Sequence, residues 1–169
     1  THICSSVPTD TYSGKGGTSM STPHVSGAAV LLKQYWEISY GISLTPQQIE
    51  DKLSLTGKSI DDTSTSGNNY SRIDILAAIQ PYINFTSSSP ANDSTIIVTY
   101  TLINITSDVN LSVALLEWNN GSLTNYTLNQ NNVTNFYYNL SGLSPGSYTY
   151  KVYGNDSVGT FGVSKTRTI

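Results

Sequence analysis

Apolar positions change their spacing once along this chain of 169 residues, and the change divides it into two parts. Between Ser19 and Ser39, the residues Val25, Ala28, Ala29, Leu32, Tyr35 and Trp36 recur at intervals of three and four. That spacing lays them along one stripe of an α-helix, so a helix is predicted over 19–39 with the stripe buried. Thr45-Pro46-Gln47-Gln48 has the order of a second helix start, with Thr as N-cap, Pro at the first position and Gln at the third. Ile49, Leu53 and Leu55 supply its apolar contacts, and Glu50, Asp51 and Lys52 read as a solvated face. Gly57 to Ser71 is rich in Ser, Thr, Asn and Gly and reads as a surface loop. Ahead of the first helix, a short strand is expected around His2 to Ser5, then a loop through Pro8, Asp10 and Tyr12.

Past Pro81 the period falls to two. Segments 96–103, 111–118, 135–140, 148–153 and 160–168 are short and rich in Val, Ile, Thr and Tyr. In the first of them Val98, Tyr100 and Leu102 alternate with Thr99, Thr101 and Ile103. Asn119-Asn120-Gly121 is a hairpin signal, because Asn-Gly tolerates positive φ at both central positions. Strands at this regular spacing predict a seven-stranded β-sandwich. The chain therefore reads as a first part over 1–82, built on helices, followed by an all-β part over 83–169.

Composition narrows the function classes. Apolar residues make up 37% of the chain, enough for packed cores, and no run of 18 apolar residues suggests a membrane span. Only 11% is charged, with net charge −3 and a pI near 5.1, which argues against nucleic-acid binding. Polarity comes instead from Ser, Thr, Asn and Tyr. Asn-x-Ser/Thr triplets begin at Asn69, Asn84, Asn92, Asn104, Asn110, Asn120, Asn125, Asn132, Asn139 and Asn155, where chance would give roughly four. They read either as compositional bias on a β-rich surface or as acceptors in a secreted, glycosylated chain. The lone Cys4 excludes an internal disulfide and reads as a small buried hydrophobe. No signal peptide is legible at a start that opens on Thr1.

The candidate chemistry sits at the head of the first helix. Gly16 and Gly17 permit a tight turn, and Ser19 follows at the helix start, where free N–H groups and the positive end of the dipole favour a developing oxyanion. Pro23 falls in the first turn or so, where its missing N–H is best tolerated, and Gly27 and Ala28 are small enough for a helix in a crowded core. The run Gly17-Thr18-Ser19-Met20-Ser21-Thr22-Pro23-His24-Val25-Ser26-Gly27 resembles the nucleophile segment of the subtilisin-like serine proteases, the subtilases. Arg72-Ile73-Asp74-Ile75-Leu76-Ala77-Ala78-Ile79 is similar to the element that closes many subtilase domains, with Ser71 in place of the usual Gly and Asp74 read as a helix cap.

That resemblance implies that residues 1–82 are the last third or so of an α/β subtilase-fold domain and that Ser19 is the nucleophile. Its backbone N–H would serve the oxyanion hole, and the Thr18 hydroxyl either assists there or caps the helix. It also implies that the triad runs Asp, His, Ser, so the base, its orienting carboxylate and the oxyanion Asn lie outside this chain. His24 is five residues after Ser19, about 500° of helical rotation away, and reads with His2 as structural. Asp61 and Asp62 are adjacent carboxylates without further oxygen ligands, so no metal or cofactor is assigned here, and calcium stays open for a full-length protease.

In the second part, Leu143-Ser144-Pro145-Gly146-Ser147-Tyr148 resembles the turn-and-tyrosine segment of fibronectin type III and other immunoglobulin-like modules. The resemblance implies a corner hydroxyl on Tyr148 and a mid-core Trp118. Tyr126, Tyr137, Tyr138, Tyr148, Tyr150 and Tyr153 read as strand-face packing ahead of a carbohydrate platform. The leading expectation is a secreted serine endopeptidase acting on protein or peptide substrates, extracellular or at the cell surface, with the sandwich for spacing, anchoring or capture. This piece, holding the nucleophile alone, is expected to be inactive. The alternative is a cell-surface binding module that carries a protease remnant.

Overall fold

The computed structural model describes residues 3–7 and 11–169 of the chain. His2, Pro8 and Asp10 lie outside the described residues. Two compact units emerge, Thr1–Ile79 and Gln80–Ile169.

The first unit opens with an antiparallel hairpin of β1 (Ile3–Val7) and β2 (Thr11–Lys15), so Tyr12 stands on a strand instead of a loop. Helix α1 (Thr18–Tyr40) follows. It ends where Gly41 turns left-handed at φ 67°, and the Gly41 and Ile42 N–H groups close back onto Glu37 O and Trp36 O. Helix α2 (Pro46–Thr56) starts with a full capping box: the Gln48 N–H donates to Thr45 Oγ1, and the Thr45 N–H donates to Gln48 Oε1 at 2.9 Å. Strands β3 (Lys58–Asp62) and β4 (Asn68–Arg72) pair next, and α3 (Ile75–Ile79) is capped by Asp74, whose carboxylate accepts the Ala77 N–H at 3.1 Å.

Further expectations change in this unit. The segment read as a loop after Gly57 is largely the β3–β4 hairpin. It was hidden because it buries no apolar face: Ile60 faces Tyr70 and both stay exposed, so backbone pairing and polar side-chain bonds hold it, among them the Ser71 hydroxyl donating to Ser54 O at 3.1 Å. The α1 stripe narrows to Ala28, Leu32 and Trp36, while Val25 is exposed. On α2, Leu53 is buried but Leu55 is exposed, and the supposedly solvated Lys52 is buried with its ammonium 4.6 Å from the Trp36 ring centre. A lysine stem packs well along an apolar surface, and the indole face attracts its charge.

The second unit holds nine strands among the described residues, not seven. They are β5 (Ile83–Phe85), β6 (Tyr100–Ser107), β7 (Leu111–Asn119), β8 (Leu123–Thr127), β9 (Asn129–Asn132), β10 (Asn135–Ser141), β11 (Thr149–Asp156), β12 (Phe161–Val163) and β13 (Arg167–Thr168). One antiparallel sheet runs β5-β6-β10-β9; the other runs β12-β11-β7-β8, with β13 also on β11. The five named segments correspond to β6, β7, β10, β11 and, for 160–168, the two strands β12 and β13; β5, β8 and β9 were not among them, β8 and β9 being too polar to alternate visibly and β5 too short. Residues 96–99 precede β6 instead of joining it. Its buried face is Thr101, Ile103, Ile105 and Ser107.

Aromatic rings cluster in the core, within the β7–β11 sheet and, through Phe85 and Tyr150, between the two sheets. Trp118, 3% exposed, lies 5.0 Å from Tyr148 and 5.4 Å from Tyr150, and Phe85 meets Tyr150 edge-on at 5.2 Å. The Tyr148 hydroxyl donates to Ser144 O at 2.6 Å, a corner bond spanning four residues. Gly162 is required by space: a Cβ there would stand 2.3 Å from the backbone oxygen of Pro81. At the β7–β8 turn only Gly121 has positive φ, while the Asn119 and Asn120 side chains accept the Gly121 and Ser122 N–H groups. Asx-turns thus replace the doubly left-handed turn expected for Asn-Gly.

Candidate active site

Gly17 sets the site. It caps α1 at φ 128° and ψ 167°, a conformation that side chains resist, and a Cβ there would meet no atom within 4 Å. The glycine is needed for its backbone angles, not for space. Thr18 is then the first helical residue and Ser19 the second. Thr18 is not the N-cap, and the cap residue makes no side-chain hydrogen bond. The Thr18 carbonyl instead accepts the Thr22 hydroxyl at 3.4 Å.

Ser19 is exposed, and among the described residues its hydroxyl has no hydrogen-bond partner. By helix geometry its N–H has no acceptor within α1, since the first-turn donors have no carbonyl four residues back. Met20 N–H folds back to Gly17 O at 3.0 Å. No acidic residue occupies the first turn, so no side-chain charge offsets the positive end of the dipole beside Ser19.

Pro23 lies deeper than expected, as the sixth helical residue. Its missing N–H is the one that would bond Ser19 O, and its ring crowds that same carbonyl. Proline thereby loosens the helix at the serine. His24 is exposed, and its Nδ1–H donates back along the helix to Met20 O at 2.9 Å. Gly27 is exposed, and a Cβ would meet nothing within 4 Å, so the crowding expected there is absent around this part of α1. Cys4 is exposed, not buried, on a two-stranded hairpin that has too little sheet to cover it. A shallow cavity of about 370 Å³ lies beside the site, lined by Ile3, Cys4, Met20, Pro23 and His24.

The carboxylates of the β3–β4 turn are occupied locally. Asp61 Oδ1 accepts the Thr63 hydroxyl at 2.6 Å and the Thr63 N–H at 2.9 Å, and these bonds hold its carboxyl below the usual carboxylate range. Among the described residues, no group of three or more His, Cys, Asp or Glu side chains gathers as a metal site would require. Likewise, no helix among them is long and apolar enough to cross a membrane.

The site is thus an exposed serine at a glycine-turned helix start, and sequence comparison gives the chain a family. Residues 2–101 match the subtilase family, peptidase S8, and the chain belongs to that family. Among curated proteins it is similar to thermitase of Thermoactinomyces vulgaris, 44% identical over 55 residues, which cover 32% of this chain and 20% of thermitase. Subtilisin DY of Bacillus licheniformis is 32% identical over 75 residues, covering 44% of this chain and 26% of that protein. Subtilisin Savinase of Lederbergia lenta is 39% identical over 67 residues, covering 40% and 23%. The chain thus spans about a quarter or less of the curated relatives it matches. Among solved structures, an engineered protein aligns at TM-score 0.44 with 16% identity, covering 53% of this chain and 20% of its own, a level that assigns no fold.

Proposed function

We propose that this chain carries the nucleophile of a secreted serine endopeptidase. Ser19 Oγ attacks the scissile carbonyl of a protein or peptide and forms an acyl-enzyme, while the Ser19 N–H donates to the oxyanion and the Thr18 hydroxyl assists. The histidine that takes the Ser19 proton and the carboxylate that orients it come from polypeptide outside these 169 residues. The observation that carries this reading is the unbroken segment Gly17 to Gly27, in a family member, with its serine exposed at the head of α1.

Residues 1–82 then form the C-terminal part of the peptidase domain. In support, α1 leaves Val30, Leu31 and Ile38 between 58% and 77% exposed, an apolar surface that the rest of such a domain would cover. Residues 83–169 form an immunoglobulin-like accessory module, a reading supported by the Tyr148 corner bond and the Trp118 core. The test is hydrolysis of casein by the protease that the uninterrupted reading frame encodes. In subtilisin, removal of the nucleophile costs about 10⁶ in turnover, and Ser19→Ala should cost a comparable factor. A variant within tenfold of the parent would refute the assignment.

A further inference from the structure

The four strands β5, β6, β9 and β10 contain not one charged residue. Their register sorts the side chains. Ile83, Phe85, Ile103, Ile105, Phe136 and Leu140 point into the core, and the alternate positions form the outer face. On that face Asn84 pairs with Thr106 and Thr106 with Asn135; Asn104 pairs with Tyr137 and Tyr137 with Asn129; Leu102 pairs with Asn139, and Tyr100 with Ser141. The result is a carpet of amides and hydroxyls holding two tyrosine rings. The other sheet differs: its outer face carries the Lys151–Glu117 ion pair, 3.2 Å apart, and exposed Val113, Phe161 and Val163.

This arrangement also accounts for part of the triplet excess. Asn84-Phe85-Thr86, Asn104-Ile105-Thr106 and Asn139-Leu140-Ser141 each place a buried apolar residue between two polar ones, as a strand with one wet face must. Among the described residues, the side-chain amides of Asn84, Asn104, Asn129 and Asn139 have no hydrogen-bond partner, so their donors and acceptors face outward unclaimed. Tyr100 is 64% exposed and Tyr137 half-buried. From strand spacing and rise, the two stand about 14 Å apart on a diagonal, with Leu102 and Asn139 in the row between them.

We propose that this face binds a neutral polysaccharide chain. Sugar rings present apolar C–H faces that stack on tyrosine, and equatorial hydroxyls that both donate and accept, as only amides and hydroxyls can answer without a charge. A face without charge neither attracts nor repels such a ligand electrostatically, whereas an acidic polymer or nucleic acid would find no cation on it. The inference does not depend on the peptidase reading, and loss of proteolysis in Ser19→Ala leaves it untouched.

The experiment is retention of the full 169-residue chain on insoluble (1→4)-β-glucan, (1→3)-β-glucan and chitin, with affinity read from depletion isotherms. Retention on at least one is expected, weakened about tenfold by Tyr137→Ala and about fivefold by Asn139→Ala, the equivalents of one stacked ring and one net hydrogen bond. Phe161→Ala, on the other sheet, should bind as the parent does. Far-UV circular dichroism on each variant separates lost binding from lost fold, and Asn104→Ser provides a second, milder probe of the same face. The proposal is overturned by no retention on any of the three, or by equal weakening in Phe161→Ala. Self-association through this face, blocked by Tyr137→Ala, would also overturn it, as would a native chain carrying covalent glycan on Asn84, Asn104 or Asn139.

Discussion

Two donors converge on one carbonyl in the second unit, and removing them singly and together should reveal how the segment before β6 is held. The Tyr150 hydroxyl donates to Pro90 O at 2.7 Å, and Arg167 Nη1 donates to the same oxygen. The Arg167 guanidinium also lies 4.6 Å from the Phe85 ring centre, and Phe85 in turn packs on Tyr150. Tyr150→Phe keeps the ring and leaves Pro90 O its bond from Arg167, so the cost is one net hydrogen bond, about 1 kcal/mol. Arg167→Met removes a charge-assisted bond worth about 2 kcal/mol and a cation–π contact worth about 0.5–1 kcal/mol. In the double variant, the half-buried Pro90 carbonyl loses both donors and bears its own desolvation cost. The double variant should therefore exceed the sum of the singles by about 1 kcal/mol. The assay is urea unfolding followed by Trp118 fluorescence, with Trp36→Phe in all four proteins to silence the other indole. For a unit the size of Gln80–Ile169, each 1 kcal/mol also appears as about 4–8 °C in Tm. Strict additivity would refute the shared-acceptor argument, and a double variant no worse than Arg167→Met would refute the Tyr150 bond itself.

Four further outcomes follow. Burial holds the Tyr150 phenol above its ordinary value against the opposing pull of Arg167, so the folded state keeps this proton longer than the unfolded one. Its stability contribution is then complete below pH 10 and declines as pH rises through the folded value; Tyr150→Phe should remove that alkaline slope in a pH series of urea midpoints. Asp61 is displaced the other way by the Thr63 hydroxyl and N–H, and a carbon-13 titration should place it below the 3.8 of a free carboxyl, with Thr63→Val raising it. Thr45→Ala removes half of the α2 capping box and should cost about 1 kcal/mol, read as faster hydrogen exchange at Gln48 and its neighbours. Residues 1–79 expressed alone should give broad, poorly dispersed amide signals and should not hydrolyse a peptide ester, because α1 has little to bury against. Sharp, dispersed spectra would refute the first expectation, and esterase activity lost in Ser19→Ala the second.

What the sequence determined by itself was local. The run from Gly17 to Gly27 located the serine at a helix start, because glycine freedom and helix-end donors depend on a few neighbouring residues. The Thr45 box and the Asp74 cap were legible for the same reason, each closing over three residues, whereas the Tyr148 corner bond was expected only from the resemblance of its turn to immunoglobulin-like modules. Tertiary structure decided everything that needed a partner distant in the chain. The β3–β4 hairpin has no apolar period because neither strand buries a face. Lys52 is buried with its ammonium over the Trp36 ring of the preceding helix, and β6 turns Ile103 inward because its register with β10 sets Phe136 opposite Ile105. Strand alternation says that one face is wet. Only the pairing of β5, β6, β9 and β10 brings those wet positions together into a single uncharged surface with Tyr100 and Tyr137 upon it.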